Sequence, residues 1–140
     1  AGRFVCFGEM LVRMTAPAGE TLPSATSLDL HIGGAEANVA ACISRLGGNA
    51  AMATTLPDNA LGAAARDALR RHGVDTTHVR HAAHGRMGLY FLTQGAAARP
   101  AEILYDRAHS AFALDPAPQT QAHCLTGPHI STFRDHARRL

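Results

Sequence analysis

Residues 31–48 have the sequence HIGGAEANVAACISRLGG, in which two glycines precede an amphipathic segment. Val39, Ile43 and Leu46 are spaced by four and three residues, the interval that places side chains on one face of a helix. Gly47 stands where helices often end, because glycine adopts the required left-handed conformation without steric cost. The pattern predicts a helix that starts after a glycine pair and buries one apolar face.

The glycine pair Gly33–Gly34 allows two interpretations. The free N–H groups at a helix start carry partial positive charge, and glycine lets a ligand approach them, so the pair can bind a hydroxyl group or an anion. Asn38 would add a donor and an acceptor for a sugar hydroxyl pair. Alternatively, the glycines only form a strand-to-helix turn and Asn38 is solvated. The stretch is neither a Walker loop nor a GxGxxG motif.

Strand and helix patterns alternate on both sides of this stretch. FVCF (4–7) and MLV (10–12) predict extended segments interrupted at Gly8-Glu9, and SLDLHI predicts a half-buried strand. NAAMATTLP predicts a small-residue strand, and DNALGAAARDALRRHG a helix with Asp58 or Asn59 as N-cap, ended by Gly73. This alternation indicates a parallel α/β unit with right-handed crossovers.

The second half of the chain has a β-type pattern. GLYFLT and AEILYDR predict a hairpin or neighbouring antiparallel strands. LDPAPQTQ is typical of a loop, AHCLTGPHIST is a candidate core strand, and FRDHARRL favours the opening turns of a helix.

Composition narrows the functional classes. The chain has 140 residues, 46% of them hydrophobic and 17% charged, which indicates one globular domain. A net charge of +2 with scattered basic residues argues against a nucleic-acid partner. No apolar run approaches the roughly 18–20 residues of a membrane span, and no signal peptide is visible. The unpaired cysteines Cys6, Cys42 and Cys124 favour buried thiols in a reducing compartment, so we expect a cytoplasmic protein.

Four histidines are close together in sequence, at His72, His78, His81 and His84. A metal site is conceivable there, but no cysteine or carboxylate stands at tight ligand spacing. The pattern favours a surface loop, and we expect no metal site.

Further polar residues lie where an α/β sheet binds ligands. Glu9 follows the first buried strand, at the carboxyl end where such sheets hold substrates. Its carboxylate can accept hydrogen bonds from substrate hydroxyls, or it is an edge carboxylate paired with an arginine.

Tyr105 and Arg107 are two residues apart on one predicted strand and therefore share a face. A phenol beside a guanidinium suits an oxygen-rich anion, although a solvent-exposed strand face is equally common.

Several segments together resemble a known family. FGEMLVRM, GGAEANVAACISRLG, LPDNALGAAARDALRRHGVDT and GLYFLTQGAAARPAEILYDRAHSAFA are similar, in order and spacing, to the N-terminal part of ribokinase-like (PfkB) carbohydrate kinases. The resemblance extends to about residue 115 and is weaker in AHCLTGPHIST. Glu36 and the YDRAHSA segment are most similar to 2-keto-3-deoxygluconate kinases.

The resemblance implies a Rossmann-like α/β domain with a parallel sheet, helices and a small β-sheet lid. Residues 1–140 would form the N-terminal part of this domain, with lid strands at about 10–33 and 87–108. Asp29 and His31 would belong to the lid structure. In the family the lid closes over a sugar and often forms the homodimer interface. The implied partners are a small-molecule sugar or sugar acid and a second copy of the chain.

The resemblance also assigns a substrate site. Glu9 would bind sugar hydroxyls, Gly34 would offer its backbone and Asn38 its side chain. Tyr90, Tyr105 and Arg107 would hold the acid end of the sugar from the lid. The expected substrate-binding residues are Glu9, Gly33, Gly34, Asn38, Tyr90, Tyr105 and Arg107.

One family motif is missing from these residues. The GAGD-like motif, whose aspartate takes the proton from the sugar hydroxyl, does not occur in the sequence, and the ATP site lies in the same half of the family fold. We therefore expect the substrate-binding half of an ATP-dependent kinase for 2-keto-3-deoxygluconate or a related acid sugar. ATP and Mg²⁺ would bind elsewhere in the intact enzyme, and the chain alone would be inactive. A fructokinase or ribokinase, or a non-catalytic sugar-binding or dimerising remnant, remains an alternative.

Overall fold

The computed structural model describes residues 2–115 and the backbone of residues 130–134. Strands and helices alternate along this part of the chain. The strands are β1 (Arg3–Phe7), β2 (Leu11–Thr15), β3 (Asp29–Gly33), β4 (Asn49–Pro57), β5 (Val79–Ala82), β6 (Gly88–Thr93), β7 (Glu102–Asp106) and β8 (Ile130–Arg134). The helices are α1 (Ala35–Arg45), α2 (Ala60–Arg71) and α3 (Ala111–Leu114).

The strands form two separate sheets. The first has the order β5-β4-β1-β8, and its neighbouring strands are parallel. The second has the order β3-β2-β6-β7, in which β2 pairs parallel with β6 and the two edge strands pair antiparallel. The predicted α/β class with a parallel sheet and a second sheet is confirmed, as is the antiparallel pairing of β6 with β7, although each sheet has four strands among the described residues.

The parallel sheet is covered on both faces. Every residue of β4 after its first is buried, and successive side chains enter opposite layers. One layer joins Cys6 and Met52 to Ala40 of α1 and Leu69 of α2. The other layer consists of Val5, Phe7, Ala51 and Ala53, with Phe112 of α3 packed against them. The small side chains of β4 allow these helices to lie close to the sheet.

Two predictions about burial are wrong, one for Leu46 and one for β3. Leu46, expected on the buried face of α1, is 82% exposed, because α1 ends at Arg45 and Leu46 is its C-cap. Ala37 and Ala40 form the buried contact instead, while Val39 and Ile43 are partly buried. The strand β3 is mostly exposed rather than half buried, because it lies at the edge of the second sheet.

Other differences concern short elements and thiols. The segment expected to be a histidine-rich surface loop contains β5, and α3 has no counterpart in the prediction. The strand β8 overlaps the predicted core strand by three residues and continues through Phe133 and Arg134, where a helix was expected. Cys6 is buried as expected, but Cys42 is exposed, and Cys124 lies outside the described residues. Most of LDPAPQTQ also lies outside them.

Each helix within residues 2–115 is too short or too polar to span a bilayer.

The start of α2 is fixed by one side chain. Asn59 is the N-cap, with extended backbone, and its Oδ1 accepts a hydrogen bond of 3.0 Å from the N–H of Gly62. This contact satisfies a backbone donor that has no partner within the helix. Of the two N-cap candidates in the sequence, the structure therefore selects Asn59 over Asp58.

We expect Asn59→Ala to lower the free energy of unfolding by about 1 kcal/mol, because it removes this cap. Asp58→Ala is the matched control, since Asp58 is exposed and precedes the cap; its effect should stay below about 0.5 kcal/mol. Urea denaturation of the three proteins measures both values. Equal destabilisation by the two variants would contradict the assignment of the cap.

Candidate functional site

The first part of the site is the connection from β1 to β2, which passes under the start of α1. Gly34 is the N-cap of α1 and has a φ of 143°, a conformation that favours glycine. A Cβ atom at this position would lie 2.8 Å from the backbone oxygen of Glu9. The glycine is therefore required both by its own backbone conformation and by the close approach of Glu9.

The second part is an ion pair that joins this connection to the end of β7. Arg107 donates from Nε to Glu9 Oε2 at 2.9 Å, and its Nη2 lies 2.8 Å from the same oxygen in the ion pair. The Glu9 side chain is only 6% exposed, whereas that of Arg107 is 36% exposed. Of the two sequence interpretations of Glu9, the structure contains the pairing with an arginine. Arg107 itself lies one residue beyond β7 rather than within the strand.

The two tyrosines lie beside this pair. Tyr90 of β6 faces Tyr105 of β7, and their ring centroids are 5.7 Å apart. The guanidinium carbon of Arg107 lies 5.9 Å from the centroid of the Tyr105 ring, within the range of a cation–π contact. The expected neighbourhood of a phenol and a guanidinium is therefore present.

Gly88 makes room for the Glu9 carboxylate on the opposite side. A Cβ atom at Gly88 would lie 2.6 Å from Glu9 Oε1 and 2.6 Å from a methyl carbon of Leu11. Glu9 Oε1 is buried and has no hydrogen-bond partner among the described residues. Most buried polar atoms have a hydrogen-bond partner, so this oxygen keeps an unused acceptor position.

Asn38 and Gly33 lie further from the ion pair. Asn38 is exposed on the first turn of α1, where its backbone N–H donates to the oxygen of Gly34 at 2.9 Å. Gly33 ends β3, and no atom lies within 4 Å of the place where its Cβ would be. Contacts thus link Gly34, Glu9, Arg107, Tyr105 and Tyr90 directly, and Asn38 joins them only through the helix start.

Sequence reasoning missed Arg13, which belongs to the same face of the second sheet. In the strand register Arg13 lies opposite Tyr90 on one side and His31 on the other, so these side chains share a face with Tyr105. The Arg13 Nε is buried without a hydrogen-bond partner among the described residues. The alternation of Arg13 with its apolar neighbours in LVRMT is the sequence signal that marks it.

A second carboxylate lies beneath the helix start. Glu36 is buried, and its carboxylate packs so closely on Gly8 that a Cβ there would collide with it. Burial, followed by the nearby charge of Glu36, raises the pKa of the Cys6 thiol. Cys6 therefore stays protonated and acts as a core side chain rather than as a nucleophile.

The sequence left a metal site conceivable at the histidine cluster. His81 lies on β5, with its Nε2 3.4 Å from a guanidinium nitrogen of Arg66, whereas His72 follows α2. Within residues 2–115 no three His, Cys, Asp or Glu side chains are grouped so as to hold a metal ion.

Comparison with known proteins identifies the family. The profile of the pfkB family carbohydrate kinases matches residues 2–126. The chain belongs to this family. The predicted resemblance is therefore confirmed over most of the chain.

Two curated relatives show the range of named activities. The chain is 45% identical over 107 residues to the 2-dehydro-3-deoxygalactonokinase of Haloferax volcanii, which covers 76% of the chain and 33% of the relative. It is 42% identical over 96 residues to fructokinase-1 of Zea mays, covering 66% of the chain and 30% of that protein.

A solved structure agrees with the sheet arrangement. The 2-dehydro-3-deoxygluconokinase of Thermotoga maritima superposes with a TM-score of 0.78 at 42% identity, over 82% of this chain and 35% of that one. This pfkB chain thus spans about a third of the length of the relatives that it matches.

We expect Gly34→Ala to lower the free energy of unfolding by about 1–3 kcal/mol, because a side chain there forces a strained backbone against Glu9. Gly33→Ala is the matched control, since its Cβ enters open space, and its effect should be below about 0.5 kcal/mol. Chemical denaturation of both variants measures the difference. If Gly33→Ala costs as much as Gly34→Ala, the close approach is not the constraint.

Proposed function

We propose that the chain is the substrate-binding part of an ATP-dependent kinase acting on 2-keto-3-deoxygluconate or a related sugar acid. The observation that carries the proposal is the position of Arg107, whose guanidinium lies between the buried Glu9 carboxylate and the Tyr105 ring. An arginine fixed in this way can bind a carboxylate through two parallel hydrogen bonds. The named 2-dehydro-3-deoxy sugar kinases among the relatives support the same substrate class.

In this proposal the sugar lies between the second sheet and the start of α1. Arg107 binds the carboxylate, and the hydroxyls of Tyr90 and Tyr105 donate to its oxygens or to the neighbouring keto group. Gly34 and Gly33 present bare backbone, and Asn38 hydrogen-bonds a sugar hydroxyl. The second sheet acts as the lid, consistent with four aromatic or cationic side chains on one of its faces, namely His31, Arg13, Tyr90 and Tyr105.

The contribution of this chain is positioning rather than proton transfer. The aspartate of a GAGD-like motif, which takes the proton of the acceptor hydroxyl in the family, is not in the sequence. Phosphoryl transfer depends on the alignment of acceptor and donor and on charge stabilisation. ATP with Mg²⁺ supplies the phosphoryl group, and we assign no step at that group to residues of this chain. The proposed location is the cytoplasm, in keeping with free Cys6 and Cys42.

A kinase for a neutral sugar is the second candidate. The ion pair of Glu9 with Arg107 carries no net charge, which suits a fructose-like substrate as well as an acid. The similarity to a fructokinase supports this alternative. Phosphorylation assays with a panel of acid and neutral sugars, using the full-length protein that carries this chain, separate the two. A sugar that stabilises the protein without ATP consumption would instead indicate the non-catalytic remnant.

We expect Arg107→Ala to raise KM for the acid sugar by roughly ten- to a hundredfold, because a hydrogen-bonded charge contributes about 1.5–3 kcal/mol. KM for fructose should change far less. Arg99→Ala, an exposed arginine in the loop before β7, is the control and should leave both constants unchanged. Equal losses for the two sugars would rule out the acid-sugar assignment.

The second sheet also supports a homodimer. Its other face carries Leu30, Met14, Phe91 and Leu104 in one row across the strands, of which Met14 also packs against the core of the parallel sheet. Leu30 and Leu104 are 49% and 57% exposed, although apolar side chains gain free energy when they leave water. We infer that two copies associate through this face, as lids of the family do.

We expect Leu104→Arg to convert the dimer to a monomer, because it places a charge in an apolar interface. Leu46→Arg is the control, since Leu46 is even more exposed but lies at the end of α1. Light scattering coupled to gel filtration gives the mass of each variant. A Leu104→Arg variant with unchanged mass would exclude this face as the interface.

A further inference from the structure

We propose that Glu9 is a positioning residue that selects how Arg107 presents its hydrogen-bond donors to the sugar acid. The proposal rests on the proposed function, because it concerns the same substrate carboxylate. It differs from the assignment of Glu9 as a ligand of sugar hydroxyls alone. The carboxylate would act on the substrate chiefly through the guanidinium that it orients.

The hydrogen bonds define one edge of the guanidinium. Arg107 uses its Nε and Nη2 to contact a single oxygen, Glu9 Oε2. A guanidinium has five N–H groups in a fixed planar fork. The contact with Glu9 occupies the side edge and leaves both N–H groups of Nη1 and one of Nη2. A carboxylate can then bind only at the end edge, which is formed by Nη1 and Nη2.

The side chains of Glu9 and Arg107 are buried to different extents, which also supports a positioning role for Glu9. Glu9 is almost fully buried while Arg107 is about one-third exposed, so the anion is fixed in the protein and the cation extends toward solvent. The ring of Tyr105 adds a cation–π contact, with its centroid 5.9 Å from the guanidinium carbon. Arg107 is thereby held before any ligand binds, which lowers the entropy cost of binding.

Glu9 is itself held from three directions. Its backbone oxygen lies against Gly34, its Oε1 against Gly88 and its Oε2 on Arg107. Glycine at position 88 is what allows the carboxylate to lie there, because a Cβ would approach Oε1 to 2.6 Å. The carboxylate thus has little freedom to rotate away from Arg107.

The pair also connects parts of the chain that are far apart in sequence. Glu9 leaves the parallel sheet, whereas Arg107 leaves the edge strand of the second sheet, and 98 residues separate them. Both residues lie where the chain passes from one sheet to the other. An arginine tethered at this junction has a defined position relative to the helix start, which a free arginine at the end of an edge strand would not have.

The test is a double-mutant cycle in the full-length protein, with Glu9→Ala, Arg107→Ala and the double variant. KM is measured for 2-keto-3-deoxygluconate and for fructose. If Glu9 acts through Arg107, Glu9→Ala raises KM for the acid sugar about tenfold in the parent protein, as expected for a hydrogen-bonded charge. It changes KM less than about twofold in the Arg107→Ala background.

Glu9→Gln provides the conservative rescue. The amide keeps one acceptor oxygen at the same length, so KM for the acid sugar should lie between those of the parent and of Glu9→Ala. Glu102→Gln, an exposed carboxylate on β7, is the control and should leave KM unchanged. Denaturation of each variant shows whether a loss of binding follows from unfolding. An equal rise for both sugars that parallels the loss of stability would overturn the proposal.

The cycle distinguishes failure of the proposed acid-sugar function from failure of the proposed role of Glu9. If Arg107→Ala has the same effect on both sugars, the acid-sugar function is wrong. If Arg107→Ala affects the acid sugar selectively but Glu9→Ala adds its full effect on top of it, the function stands. In that case the positioning role is overturned, because Glu9 then contacts the substrate independently of Arg107.

Discussion

The architecture depends on the close packing of the β1–β2 connection against the start of α1. At this point the chain leaves a buried parallel strand and enters a second sheet, while the helix that covers the first sheet begins directly above it. Gly34 allows the Glu9 backbone to approach, and Gly8 accommodates the buried carboxylate of Glu36. Side chains at these two positions would separate the helix from the connection, and the carboxylate of Glu9 would no longer be placed below the second sheet.

Two buried carboxylates, those of Glu9 and Glu36, lie near this connection and have different surroundings. Removing a carboxylate from water is costly unless hydrogen bonds or a counter-charge compensate for it. Glu9 gains that compensation from Arg107, one residue beyond the end of β7, so the electrostatic requirement of the core also orders the site. Glu36 packs on Gly8 and adds to the effect of burial in raising the pKa of the Cys6 thiol.

Local patterns in the sequence predicted much of the fold. The cap of α2 could be narrowed to Asp58 or Asn59, and the glycine at position 34 could be identified, because helix starts depend on a few neighbouring residues. The exposure of Leu46 and of β3 could not, since it depends on where a helix ends and on which strand lies at a sheet edge. The four-residue β5 lacks a long periodic pattern. Pairing of Glu9 with an arginine was one of two open interpretations, but Arg107 could not be identified as the partner, because nothing local relates residues so distant in sequence.

Within the described residues, the chain passes between the two layers at four short segments: residues 8–10, Gly34, residues 83–87 and residues 107–110. Gly34, Gly85 and His109 have positive φ in three of these segments. Any rotation of the second sheet relative to the parallel sheet would have to bend the chain there. Glu9 and Arg107 lie in these segments and would be displaced little, whereas the far end of the β6–β7 pair, at Thr93 and Glu102, would be displaced most.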